Sequence, residues 1–224
     1  MWRDAALVAG KDLRIELKSR VVLNQVAPFA IVVLALFAFA LGPNRAPMVQ
    51  AAAGLFWVAV LFACVLAVQR SFALEANDGT RDGLRLSGLD PAGIFLGKAA
   101  AIAVQLVLLE VLLGLGVVLF YGAHVRSFGA VLLACAAGTA GLAAVGTLYG
   151  ALAAGVRVRE TLLPFLLLPV VAPVLLAGTR AWQVGLGTGP GGDTAGPWLE
   201  LMAIFAVVYL ALGVLIFGPL QEAA

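Results

Sequence analysis

Six long apolar runs, separated by short polar breaks, occupy most of the 224 residues. They fall near 21–41, 49–69, 99–120, 128–155, 161–179 and 199–219. Each holds about 19 or more residues, and ~20 residues at 1.5 Å rise cross a ~30 Å hydrocarbon layer. Backbone amides in lipid must bond within their own segment, so each run predicts a helix. The fold class expected is all-α, a polytopic membrane protein with six transmembrane helices. Composition sharpens this: 63% of residues are apolar and the mean hydropathy is +1.07, far above soluble domains at roughly 45–50% apolar. No water-soluble domain is left over to do chemistry.

Residues 2–20 break the pattern. Trp2, Ala6, Ala9, Leu13 and Leu17 recur at helical spacing, while Arg3, Lys11, Arg14 and Lys18 stand mostly to other sides. Leu7 and Ile15 fall away from the apolar face. A Lys/Arg-rich amphipathic helix with an aromatic on its apolar side suits a membrane interface, so 2–20 is predicted to lie on the bilayer. Residues 70–98 form the one sizeable polar segment and predict a structured cytoplasmic loop. Asp78-Gly79 marks a turn, Thr80 can cap a short helix through Leu86, and Ser87-Gly88 can end it. Asp90-Pro91 reads as the N-cap and first residue of the next helix.

Two of the spans carry unusual residues. The fourth is rich in glycine, and Gly146 and Gly150 in a G-x-x-x-G spacing permit close helix approach in lipid. The fifth contains Pro164, Pro169 and Pro173, each of which removes an i→i−4 bond, so an interrupted helix is expected there. Residues 180–198 are predicted to form a Gly-rich outer loop.

Charge matters here by position. Eleven lysines and arginines fall on the side of the N-terminal segment, and three (Arg45, Arg126, Arg180) on the other. The excess of basic residues predicts both termini in the cytoplasm. Twenty mixed-charge residues precede the first apolar run, which is too long for a signal h-region, so no cleavable signal peptide is expected. Cys64 and Cys135 sit in mid-span without a C-x-x-C partner and read as small hydrophobes.

Glu110 is the one charged side chain at mid-span. Insertion scales put the cost of an acidic group at a helix centre at roughly 2.5–3.5 kcal/mol, so such a group normally faces other helices or water. It is either a polar contact in a translocation path or proton relay, or a hydrogen-bonded packing residue. His124, the sole histidine, stands in an outer loop and could ligate heme iron, with Met48 in the neighbouring loop as a second soft ligand. Isolated residues of these types more often have no such role.

Several functions lack their motifs. Gly93 to Lys98 has the wrong spacing for a phosphate-binding P-loop and is followed by Ala99, so no nucleotide site of that kind is predicted. Neither an H-E-x-x-H nor a G-x-S-x-G pattern occurs. Asp78 to Gly83 shares an Asp-Gly opening with lipid head-group transferases but lacks their Ala-Arg pair and further aspartates. No enzyme activity and no nucleic-acid partner are expected.

The layout resembles an exporter-type ATP-binding-cassette permease. More narrowly, the chain resembles the heme exporter protein B (CcmB) family, the membrane subunit of a cytochrome c maturation transporter. Three segments carry the resemblance. The first runs from Arg70 and Glu75 through Gly79, Thr80, Arg81, Asp82, Gly83, Leu84, Arg85, Leu86 and Ser87 to Lys98. The second runs from Arg157, Arg159 and Glu160 through Pro164, Pro169 and Pro173. The third is the last span, from Trp198 to Phe217, with an acidic tail at Glu222. Gly88 departs from the pattern, since similar proteins often have proline after the serine.

The resemblance implies a bacterial inner (plasma) membrane location and a separate cytoplasmic ATPase that binds the ATP. It also implies a homodimer within the complex, a heme-handling membrane subunit with a small accessory subunit, and a periplasmic heme chaperone. Heme is then a substrate and no cofactor is held tightly, while membrane lipid surrounds the chain. Glu75, Thr80, Arg81, Asp82, Leu84, Arg85 and Leu86 are the candidate ATPase-coupling residues. Leu84 and Leu86 would serve as buried anchors, and the arginines would set register. The alternative is the permease of an exporter for a drug, lipid or polysaccharide.

Overall fold

The computed structural model describes residues 1–20, 24, 27–40, 45–77, 88–153, 159–189, 191 and 194–223. Among them lie seven helices and no strand: α1 (Trp2–Ser19), α2 (Ala27–Ala40), α3 (Arg45–Asn77), α4 (Pro91–Tyr121), α5 (Phe128–Ala153), α6 (Arg159–Gly185) and α7 (Gly196–Ala223). The chain is an all-α polytopic membrane protein. Five of these helices are long and apolar enough to cross a membrane. A shorter apolar stretch, Ile31–Ala40, falls in the first predicted span.

Both faces of these helices are apolar, and burial alone separates the inner face from the outer. On α4, Ile94, Ile102, Leu106, Leu109, Leu113 and Val117 are buried, whereas Val107, Val111, Leu115 and Val118 are exposed. Lipid tails are as apolar as leucine, so the inner face gains little from the hydrophobic effect and depends on close packing. Glycine supplies that closeness. A Cβ at Gly146 would stand 2.7 Å from Val68 Cγ2, and one at Gly150 would stand 2.5 Å from Phe72 Cε2. The G-x-x-x-G pair of α5 is therefore a seat for α3. Trp57 of α3 fills the space left by Gly138 of α5 and Gly178 of α6. α5 also packs along α7, and α1 lies along α4.

Three sequence expectations change. First, α3 continues to Asn77, past the expected end of its span at residue 69. Asp90 caps α4 as its sequence predicts, accepting a hydrogen bond from the Ala92 N–H at 3.0 Å. Second, α6 runs unbroken through Pro164, Pro169 and Pro173, so these prolines do not break the helix. Each removes one bond, while buried Leu163, Leu167, Val171, Val174 and Ala177 hold the helix against its neighbours. Third, α6 reaches Gly185, so the outer loop is shorter than 180–198. Trp182 stacks on Phe56 with ring centroids 3.7 Å apart, which carries the helix past residue 179. Gly88 has φ +66, an angle that the ring of proline forbids.

The glycine seats give a direct test. Gly150→Leu forces a side chain into Phe72 and Val68 and should cost about 1–3 kcal/mol, as overpacking does. Gly54, where an added Cβ meets nothing within 4 Å, should accept alanine with unchanged or higher stability. Thermal unfolding midpoints in mild detergent read both.

Candidate functional site

The end of the bundle that carries α1, here the foot, holds a charged junction among three helices. On α1, Asp12 and Glu16 are four residues apart and share a face toward the bundle. On α3, Arg70 and Ser71 sit in the last two turns. Lys98 lies two turns inside α4 and is 1% exposed. Its Nζ is 3.5 Å from Asp12 Oδ2 and donates to Ser71 Oγ at 3.1 Å. The Ser71 hydroxyl donates in turn to Asp12 Oδ2 at 3.3 Å. The ammonium also stands 4.8 Å from the centroid of the Phe72 ring, within the range of cation–π attraction. Arg70 and Glu16 pair at 3.5 Å beside it, and Lys11 pairs with the other Asp12 oxygen at 3.1 Å.

A buried ammonium is tolerated only when paired and hydrogen-bonded. The junction meets that need by drawing partners from α1 and α3, and so ties three helices together. Two glycines of α4 strengthen it. A Cβ at Gly97 would meet the Ala5 carbonyl oxygen at 2.6 Å, and one at Gly93 would meet the Met1 carbonyl oxygen at 2.8 Å. α1 therefore lies directly on the backbone of α4. At its first turn the Asp4 carboxyl accepts from the Asp90 N–H at 3.3 Å. The Met1 amino group and this N–H hold Asp4 below the usual carboxylate range.

Midway along α4, Glu110 is 5% exposed and accepts a 2.5 Å hydrogen bond from the Thr139 hydroxyl of α5. The Cys135 thiol stands one turn away on the same helix, within reach of the carboxyl. Glu110 thus faces another helix, as an intramembrane acid should. The structure does not assemble His124 and Met48 as a ligand pair. His124 is exposed in the α4–α5 connection, and Met48 is packed in the core. Among the described residues there is no cluster of three or more His, Cys, Asp or Glu side chains that could hold a metal ion. Thr80, Arg81, Asp82, Leu84, Arg85 and Leu86 lie outside the described residues. Glu75 lies on the last turns of α3, and its side chain is likewise outside them.

The sequence reading placed Lys98 among the loop charges and passed over Asp12, Glu16, Ser71 and Thr139. A signal for Lys98 was present. Asp90-Pro91 sets the helix start, which puts Lys98 two turns inside an apolar helix, and a lysine there needs a partner.

The comparisons with known proteins bear on the whole of this layout. A family profile described as CcmB protein matches residues 4–219. The chain belongs to the CcmB protein family. This match takes in α1, the foot junction, Glu110 and Thr139, and nearly all of α7. The heme exporter protein B of Pseudomonas aeruginosa is 30% identical over 181 residues, 81% of each chain. That of Paracoccus denitrificans is 28% identical over 218 residues, 96% of this chain and 94% of the relative. That of Rhodobacter capsulatus is 30% identical over 179 residues, 78% of this chain and 80% of the relative. This CcmB-family chain is therefore similar to these three relatives over 78% to 96% of its length, and membership marks it as a transporter membrane subunit.

Lys98 is the residue whose loss the junction should feel most. Lys98→Met strands the Asp12 carboxylate and should cost about 3 kcal/mol, the low end for a broken buried pair because Asp12 keeps Lys11. Adding Asp12→Leu should restore much of that loss. A double-mutant cycle on detergent unfolding midpoints measures the coupling; additive losses would contradict the pairing.

Proposed function

We propose that this chain is the permease subunit of an ATP-driven heme exporter serving cytochrome c biogenesis. The observation that carries the reading is the family match over residues 4–219, joined by three heme exporter relatives that cover most of the chain. ATP is bound and hydrolysed by a separate cytoplasmic subunit. The chain lies in a bacterial inner membrane with both termini cytoplasmic, as the eleven-to-three distribution of basic residues favours. The wider assembly holds two copies of the chain, a heme-handling membrane subunit with its small accessory subunit, and a periplasmic heme chaperone that receives the heme.

Coupling follows from the foot. Residues 78–87 join α3 to α4, and both helices are bound to α1 through Lys98, Ser71, Asp12, Arg70 and Glu16. An ATPase that grips this segment moves the ends of three helices at once, as rigid bodies rather than as a loop. Leu84 and Leu86 anchor the contact, while Thr80, Arg81, Asp82, Arg85 and Glu75 set its register. Glu110 and Thr139 lie at mid-depth between α4 and α5, where a change in the packing of those helices would be felt.

The test combines purification and phenotype in a bacterium whose own copy has been deleted. Leu84→Asp or Arg85→Glu should abolish co-purification of the ATPase while membrane levels of the chain stay normal. Cells with these variants should lose c-type cytochromes and keep b-type cytochromes. Normal ATPase binding would remove residues 78–87 from the coupling role. Intact c-type cytochromes in the deletion strain would overturn the heme reading and favour an exporter of another cargo.

A further inference from the structure

The helix α1 has three faces, and the bundle accounts for only one of them. Ala5, Val8, Asp12 and Glu16 face the bundle. Trp2, Ala6, Ala9, Leu13 and Leu17 form the second, apolar face. Arg3, Arg14 and Lys18 are exposed along the third. Beneath the apolar face lies a cavity of about 400 Å³, roofed by Trp2, Ala6 and Ala9 of α1. Its walls are small side chains of α4 and α5, among them Ala100, Ala103 and Ala140, with Leu210 of α7. From Leu96 to Ala103 the groove follows two turns of α4, about 10 Å of helix. Ala100 is exposed and Trp2 is 74% exposed at its edge, so the groove opens sideways to lipid rather than closing into the core.

The geometry points to a site for one anionic phospholipid, with an acyl chain in the alanine-walled groove and the phosphate on the basic flank of α1. An apolar groove of about 400 Å³ suits a hydrocarbon chain better than a folded partner. Arg3 follows Trp2 in sequence and is exposed on the flank beside the apolar face, so a cation is available to a headgroup at the Trp2 end of the groove. Arg14 and Lys18 continue the positive flank along the interface. Basic residues near a membrane surface favour anionic over zwitterionic lipid, and the indole of Trp2 is an interfacial side chain. Charge and groove together select an anionic headgroup and an acyl tail on one molecule. Lipid held there would pack under α1 and keep it seated on α4, beside the Lys98 junction. This inference extends the permease reading to the lipid that surrounds it and rests only on α1 lying at the membrane interface, not on the identity of the cargo.

The test uses the full chain, stripped of lipid in detergent and offered phosphatidylglycerol or phosphatidylcholine with identical acyl chains. Native mass spectrometry counts the lipid retained. The wild type should retain one phosphatidylglycerol per chain, with about tenfold preference over phosphatidylcholine. A triple variant, Arg3→Gln, Arg14→Gln and Lys18→Gln, should lose the preference. Ala100→Phe, which fills the groove from its exposed side and spares the core, should lose retention of both lipids. Equal retention of the two lipids by the wild type would overturn the proposal, as would undiminished phosphatidylglycerol retention by Ala100→Phe. A triple variant that keeps its lipid preference but loses the ATPase would assign the basic flank to a protein instead, and so would also overturn it. Cytochrome content, measured in parallel, reports on the permease reading separately.

Discussion

The ammonium of Lys98 must have partners, and that requirement organises the foot of this protein. Paired with Asp12 and bonded to Ser71, it fixes α1 against α3 and α4. Without those partners, a charge 1% exposed would stand unpaired inside the protein, at a cost of several kcal/mol. The pair adds directional, charge-specific information to the steric fit of the apolar side chains. Gly93 and Gly97 bring α1 close enough for the pair to form, and the atoms nearest to them are the backbone carbonyl oxygens of Met1 and Ala5, which cannot easily move aside. Sterics and charge therefore specify the same arrangement.

On the proposed permease reading, coupling follows from where this lock sits. The segment that the permease reading assigns to the ATPase joins the two helices that the lock holds. A force applied there reaches α1, α3 and α4 together. From α4 it passes to α5 through packing and through the Thr139 to Glu110 hydrogen bond, and from α5 to α6 and α7. The glycine seats of α5 for Phe72 and Val68, and the shared pocket of Trp57, let these helices meet at close range. Packing of this kind transmits displacement, because interlocked side chains cannot yield gradually.

Much of the fold was legible in the sequence, for reasons that are local. Long apolar runs declare long apolar helices, Asp90-Pro91 declares the start of α4, and the spacing from Trp2 to Leu17 declares the helix α1. The parts that were not legible depend on distant residues. Pro164, Pro169 and Pro173 leave α6 whole because side chains elsewhere hold it. Lys98 looked like a loop charge because its partner, Asp12, stands on another helix. Glu110 was visible as an intramembrane acid, but its donor Thr139 was not. The G-x-x-x-G of α5 signalled close packing without naming α3. The candidate coupling residues rest on family resemblance, since nothing in their spacing alone identifies an ATPase surface.

The central claim is that α1 and the ends of α3 and α4 move as one body. Electron paramagnetic resonance on the assembled transporter tests this most directly, with spin labels at Leu17→Cys on α1 and Val104→Cys on α4 in a Cys135→Ser background. Both label sites are exposed. The account predicts one narrow distance distribution, the same in nucleotide-free and vanadate-trapped states, that broadens when Lys98 is replaced by methionine. A distance that shifts with nucleotide in the otherwise wild-type protein, or one indifferent to Lys98, would contradict it.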